Sequence, residues 1–340
     1  MKRATKQEVK AFSELEKSDA IDTVFSYWRK HGFPHYKSNM GEREQELKLL
    51  AKYDRSGMIN SDNQIKQTMH GLGVAWNYFP HHWNVATKGR MTVLDVWNDD
   101  TLFKNAIARR LNRGGLAWDE NGNPHMTISI IRKALMACSP AQRVSNFRPT
   151  AAASIYDQYA GDGIVWDMSC GYGGRLLGAM VSDKVKKYIG TEPCKATFGG
   201  LERMAEDWSM WFNTRVELHC IGSEDFTTDE EVDLCFTSPP YFNTEIYSHE
   251  DSQSWKRYQT VEEWNSKFLA QTIANCWESL KDGGHMILNV ANVKTHPTLE
   301  EDTIELATLQ GFIYVKTLAL TLSSINTGAF KYEPVFVFVK

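Results

Sequence analysis

The chain has 340 residues, 42% of them hydrophobic and 24% charged, which excludes a disordered or collagen-like protein and leaves room for two ordinary domains. Its net charge of −4 excludes a bulk positive field, so any nucleic-acid surface must be a local basic patch on a mildly acidic body. The charged start MKRATKQEVKAF lacks the apolar core of a signal peptide, and no stretch reaches the roughly 20 apolar residues of a membrane span. The six cysteines have no C-x-x-C spacing and fall mostly in apolar runs, which predicts reduced, buried thiols and a cytoplasmic location.

The N-terminal region, residues 1–143, is predicted to be mainly α. Helical spacing occurs at 42–53 and 99–111, and again at 127–137, where Thr127 is the expected cap after the turn Asn121-Gly122-Asn123-Pro124. Trp76, Tyr78, Phe79 and Trp83 form an aromatic cluster expected in the core. His81 and His82 within it lack the flanking Cys or carboxylate spacing of a zinc site, so no metal is expected. Arg109, Arg110 and Arg113 before the turn and Arg132 and Lys133 after it suggest a helix-turn-helix reader, although the turn is longer than that motif favours. On this view the region contributes to target recognition.

From about residue 161 the pattern changes to alternating strands and helices. Strands are predicted at 163–168, 187–191, 215–221, 232–237 and 285–290, with helices at 175–181, 197–213 and 261–280. That alternation specifies a parallel sheet with helices on both faces. A helix at 300–309 then precedes β-rich segments at 312–322 and 332–340, joined by the turn-like Asn326-Thr327-Gly328. Such a closing pair adds an antiparallel edge.

After the first strand, Asp167-Met168-Ser169-Cys170-Gly171-Tyr172-Gly173-Gly174 places glycines where a strand turns into a helix, so that the backbone can approach a ligand. The G-x-G-x-x-G of a dinucleotide site is not completed, and Asp167 would repel a pyrophosphate while suiting the amino group of an amino-acid tail. S-adenosylmethionine fits better. Glu192, ending the second strand, is placed to accept from ribose hydroxyls, and Asp225, after the third, to receive the adenine amino group.

The fourth strand runs into Thr237-Ser238-Pro239-Pro240-Tyr241. Two prolines fix φ and remove two donors, so the Ser238 side chain and the Pro239 carbonyl stand as acceptors beside the flat face of Tyr241. An exocyclic base amine is a poor nucleophile because its lone pair is delocalised. Two acceptors gripping its hydrogens favour a pyramidal nitrogen, and stacking on Tyr241 fixes the plane of an extruded base. Pro193-Cys194 follows the second strand, far from this motif, and reads as structural, which disfavours covalent methylation of a ring carbon.

These residues resemble the DNA amino-methyltransferases, in which a D/N/S-P-P-Y/F motif follows the fourth strand and a D-x-x-x-G-x-G turn the first. The resemblance spans about residues 144–340. It includes Asn146-Phe147-Arg148-Pro149-Thr150, Leu280-Lys281-Asp282-Gly283-Gly284 and Tyr332-Glu333-Pro334-Val335-Phe336-Val337-Phe338. The first motif departs from the usual pattern at Met168-Ser169-Cys170 and at Gly174-Arg175. What it implies is an α/β, doubly wound, mostly parallel seven-stranded sheet of the class I methyltransferase type behind the mainly α N-terminal region. It implies S-adenosylmethionine held by Asp167, Ser169, Gly171, Gly173, Glu192 and Asp225, with Arg148 and Pro149 near the methionine part. It also implies catalysis by Ser238, Pro239, Pro240 and Tyr241. The serine form is the one more common in enzymes of the cytosine 4-amino group, with DNA as partner; the adenine 6-amino group, an RNA base amine and a protein glutamine amide stand as alternatives. A non-catalytic DNA-binding protein with the same fold is a different class. Lys256, Arg257 and Tyr258, in the segment 242–258 after the motif, are the expected nucleic-acid contacts.

Overall fold

The computed structural model describes residues 3–142, 144–324 and 330–340. They fall into two units, Met1–Tyr36 with Pro80–Val144, and Lys37–Phe79 with Ser145–Lys340. The expected single division into 1–143 and 144–340 is thereby corrected, because residues 37–79 belong with the sheet. Ile65 pairs with Leu320 at the sheet edge, the Tyr78 hydroxyl donates to Asp207 at 2.6 Å, and the Phe79 ring lies directly on Gly200.

Among the described residues the strands are β1 Gln64–Ile65, β2 Ala117–Trp118, β3 Pro124–His125, β4 Gly163–Asp167, β5 Val185–Thr191, β6 Arg215–His219, β7 Val232–Thr237, β8 Leu280–Asn289, β9 Ile313–Ser324 and β10 Phe330–Val339.

The first unit is helical around the core residues Trp28, Trp83, Phe103, Ile107, Leu111, Ile131 and Leu135. Its longest helix, Glu14–His31, was not legible as a periodic run. It starts at a capping box between Ser13 and Glu16, and its buried residues Ala20, Val24 and Trp28 recur every fourth position, with Ile21 and Phe25 packed against the same core beside them. Trp28 fixes the helix by donating to the Met126 carbonyl at 3.0 Å.

The expected helix-turn-helix is corrected. Helices Asp100–Asn112 and Ile128–Ala137 are separated by the antiparallel hairpin β2–β3, whose turn closes through amides of Asn121 and Asn123 donating to Asp119 at 2.9 and 2.8 Å. Arg109 and Arg113 donate to the carbonyls of Cys138 and Ala137, at 3.5 and 3.3 Å, where cations complement a helix C-terminus. Arg132 lies over the Tyr36 ring, 3.9 Å from its centroid. Thr127 occupies the cap position, but its side chain makes no capping hydrogen bond.

The second unit is built on one eight-stranded sheet in the order β1-β9-β10-β8-β7-β4-β5-β6. β4, β5, β6, β7 and β8 run parallel, and β10 lies antiparallel between β8 and β9. This is the doubly wound sheet of the class I methyltransferase type, with the short parallel β1 as an eighth strand outside β9. The turn expected at Asn326-Thr327-Gly328 lies outside the described residues. All six residues of β7 are buried, as befits a central parallel strand covered on both faces. The helix expected at 261–280 is interrupted by a π turn at Asn265–Leu269, where the Asn265 amide donates to Asp302 at 2.7 Å. Helix Pro149–Tyr159 starts at Pro149 and is buried from Pro149 through Tyr156; with no polar face it carries no amphipathic signal. Five cysteines are buried, whereas Cys220 is exposed. Among the described residues no helix is long and apolar enough to cross a membrane.

Candidate active site

Strand order reverses between β4 and β7, and in open α/β sheets ligands bind at the carboxyl ends of strands flanking such a reversal. Both sequence motifs sit there. The seam is pinned at one end by the Ile164 amide donating to Asp233 at 2.7 Å. At the other end the Thr237 hydroxyl donates to Asp167 at 2.8 Å, and the Ser169 amide donates to Thr237 at 3.1 Å.

Asp167 was expected to meet the amino group of a bound amino acid, and the structure corrects this. Its side chain is fully buried and ion-paired to the equally buried Arg175 at 2.8 Å, with Tyr188 donating a further 2.7 Å hydrogen bond. Arg175 also donates to the Ser169 carbonyl and, at 3.3 Å, to Thr237. The carboxylate beside it raises the Arg175 pKa despite burial, so the guanidinium is a permanent charge. Asp167 thus shapes the turn from beneath. Arg175 was noted in the sequence only as a departure from the usual motif.

Above this pair the backbone turns through Gly171 and Gly173 with φ of +55° and +70°. Gly174 is required for a different reason, since a Cβ there would lie 1.9 Å from the Phe147 carbonyl oxygen. The half-buried Glu192 accepts from the amides of Gly171 and Cys194 at 3.1 and 3.0 Å. Burial pushes its pKa up to about 7. Arg148 is half-buried ahead of helix Pro149–Tyr159, and Pro149 is buried at its first position.

Ser238, Pro239, Pro240 and Tyr241 extend from β7, and Phe242 follows with φ of +53°, a strained value for an aromatic residue. Tyr241 is half-buried, and its hydroxyl donates to the Asn289 carbonyl at 3.2 Å. Asn289 also donates to the Pro334 carbonyl at 2.9 Å. Glu245 accepts from Tyr247 and faces Glu333. Burial raises the pKa of both carboxyls. Neither glutamate was singled out from sequence. The only signal was a charged residue inside the apolar run of β10.

The segment 242–258 is folded back along the strand ends. Glu250 accepts from the Lys195 amide at 3.2 Å, and Ser252 donates to the Pro193 carbonyl at 2.9 Å. The expectation that Lys256, Arg257 and Tyr258 present a nucleic-acid surface is corrected. Lys256 pairs with Asp251, Arg257 bonds Glu224 at 2.6 Å and also Asp225, and Tyr258 is buried within the apolar core. Asp225, expected beside an adenine, is held by Arg257.

Residues 232–340 match the family model described as DNA methylase. Methyl transfer with S-adenosylmethionine as donor goes with the family. No curated protein matches the sequence. Among solved structures the chain is similar to the N-methyltransferase NodS from Bradyrhizobium japonicum WM9, at 14% identity over 56% of this chain and 93% of that one, with a TM-score of 0.40. It is similar to a methyltransferase from Pyrococcus furiosus at 15% identity over 56% and 82%, with a TM-score of 0.41. A third is magnesium protoporphyrin IX methyltransferase from Synechocystis PCC 6803 with bound SAM, at 14% over 56% and 79%, with a TM-score of 0.40.

Proposed function

We propose that this protein transfers a methyl group from S-adenosylmethionine to the 4-amino group of cytosine in DNA, acting on a base extruded from the duplex. One observation carries the reading: Ser238-Pro239-Pro240-Tyr241 leaves the carboxyl end of β7 across the strand-order reversal from the glycine turn after β4.

The residues present suit the donor. Around Gly171 a Cβ would meet only the Ser169 carbonyl, at 3.9 Å, so the turn leaves room for a ligand against its backbone. Glu192 supplies the acceptor that a pair of ribose hydroxyls requires. Gly171, Gly173 and Ser169 would line the methionine part, with Arg148 and Pro149 nearby, and Asp225 would take the adenine amino group once Arg257 releases it. When bound, S-adenosylmethionine supplies a methyl group on a positively charged sulfur.

The chain's own part is positioning. Ser238 Oγ and the Pro239 carbonyl accept the two amine hydrogens, which turns the nitrogen lone pair toward the methyl carbon. Pro240 holds that carbonyl in place, and Tyr241 sets the plane of the base. In-line displacement then needs no covalent enzyme intermediate.

The test is to incubate unmethylated genomic DNA with labelled S-adenosylmethionine, digest it to nucleosides and identify the product by mass spectrometry. 4-Methylcytosine supports the proposal. 6-Methyladenine moves it to adenine, label in RNA alone moves it to an RNA amine, and absence of label with absence of cofactor binding by calorimetry sinks it.

A further inference from the structure

Phe242 directly follows the catalytic motif, and its φ of +53° lasts only where neighbouring side chains impose it. Those side chains are Trp264 and His296. The buried Phe242 ring meets both edge-to-face, with centroids 6.1 and 6.4 Å apart, and His296 meets Trp264 in the same way at 5.8 Å.

His296 lies in the loop after β8, and that strand and its loop hold the chain on either side of Phe242. The Asn289 carbonyl accepts from Tyr241 at 3.2 Å, and Thr295 is hydrogen-bonded to Thr244 at 2.7 Å. His296 itself is fully buried. Its Nε2 donates to Asp302 at 2.9 Å, because a carboxylate has no proton to offer in return. Asp302, in the first turn of helix Leu299–Gln310, also accepts from Asn265 of the π turn at 2.7 Å and from Thr298 at 3.1 Å. The other ring nitrogen, Nδ1, is buried without a hydrogen-bond partner among the described residues. A phenylalanine would fill this place without stranding a nitrogen, so packing alone does not account for a histidine here. What histidine adds is a fixed orientation through Asp302.

We propose that His296, oriented by Asp302, is a positioning residue for methyl transfer: it holds Phe242 in its strained conformation and so aims Ser238 Oγ and the Pro239 carbonyl at the target amine. This rests on the amine-methyltransferase reading above and adds to it the device that sets the direction of the motif. The histidine ring exchanges no proton with the substrate and acts through Phe242. A misplacement of about 1 Å at a reacting centre is enough to slow a reaction about 100-fold.

The experiment measures methyl transfer to unmethylated genomic DNA as a function of DNA concentration, with S-adenosylmethionine binding followed by calorimetry and stability by urea denaturation. His296→Phe is expected to match or exceed the wild-type urea midpoint, yet to lower the maximal rate by about 100-fold. Its half-saturating DNA concentration and its cofactor affinity should stay unchanged. Asp302→Ala, at a half-buried position that folding tolerates, should lose rate in the same way and carries the test if His296→Phe fails to fold. Asp302→Asn keeps an oxygen acceptor for Nε2 and should recover most of that loss. In a Phe242→Ala background, adding His296→Phe should cost little more, because the ring through which His296 acts is gone. Wild-type rate in His296→Phe or in Asp302→Ala, losses that add fully in the double variant, or a loss that appears only as weaker DNA or cofactor binding overturns the positioning role alone. A wild-type chain that transfers no methyl group overturns the amine-methyltransferase reading and the positioning role with it.

Discussion

Thr237 ends β7 and Asp167 ends β4, and a 2.8 Å hydrogen bond from the Thr237 hydroxyl to the Asp167 carboxylate joins them. It locks the strand that carries Ser238 to the strand that carries the glycine turn. Thr237→Val keeps the shape and deletes the donor. We expect a loss of about 1–3 kcal/mol in urea denaturation, together with weaker S-adenosylmethionine binding by calorimetry.

Arg175 is the sole cation paired with the buried Asp167 among the described residues. Replacing it with alanine strands a carboxylate where water does not reach, and removing one partner of such a pair costs about 3–5 kcal/mol. A fall in the urea midpoint for Arg175→Ala much larger than for Lys256→Ala, whose exposed pair contributes little, is the expected result.

Gly174 has an ordinary backbone conformation but no space. Gly174→Ala must push the Phe147 carbonyl away from the start of helix Gly174–Met180, with a cost of about 1–3 kcal/mol for overpacking. The displacement also moves Arg148, so cofactor affinity should fall with stability. Gly199→Ala, where the nearest atom to a new Cβ is the end of the Arg203 side chain at 3.7 Å, should leave both near wild type.

Ser238→Ala and Tyr241→Ala should each reduce methyl transfer by at least ~100-fold with the calorimetric affinity for S-adenosylmethionine preserved. Full activity in Ser238→Ala would remove the amine-gripping role assigned to that hydroxyl.

The half-buried Glu192 has a folded-state pKa of about 7, above its ordinary value of 4.5. Between those values the folded chain holds the extra proton, so stability declines as pH rises through that window and is highest below it. Glu192→Gln removes the titration, and its stability should stay flat where wild type declines. Ribose hydroxyls favour the charged carboxylate, so S-adenosylmethionine should bind more tightly as pH rises through 7, with proton release visible in calorimetry across buffers of different ionisation heat.

The sheet was legible because parallel strands buried on both faces read as short apolar runs, and Val232–Thr237 is recovered at its full length. The glycine turn and the proline motif were legible because each imposes a local backbone demand. What escaped depends on partners distant in sequence. Asp167 looks like a ligand-binding acid until Arg175 and Tyr188 converge on it, and Arg257 looks like a phosphate contact until it meets Glu224 and Asp225. The two-residue β1 has no periodicity to read and exists through its pairing with β9. Tyr241 meets the Asn289 carbonyl only after β7 and β8 have paired.

The pairing of β1 with β9 also bears on how the sheet comes to be finished. β9 is synthesised long after β1, and part of its outer edge, at Ala319 and Leu320, is covered by that earlier strand. During synthesis residues 63–67 must wait without their partner, and afterwards they must return to it ahead of any other chain. An open strand edge is a template for pairing with whatever strand arrives first. The brief contact of Gln64 and Ile65, reinforced by the Ala319 amide donating to the Asn63 carbonyl at 2.8 Å, is therefore a seal on the sheet. A chain cut to begin at Ser145 would keep every motif of the site and lose that protection.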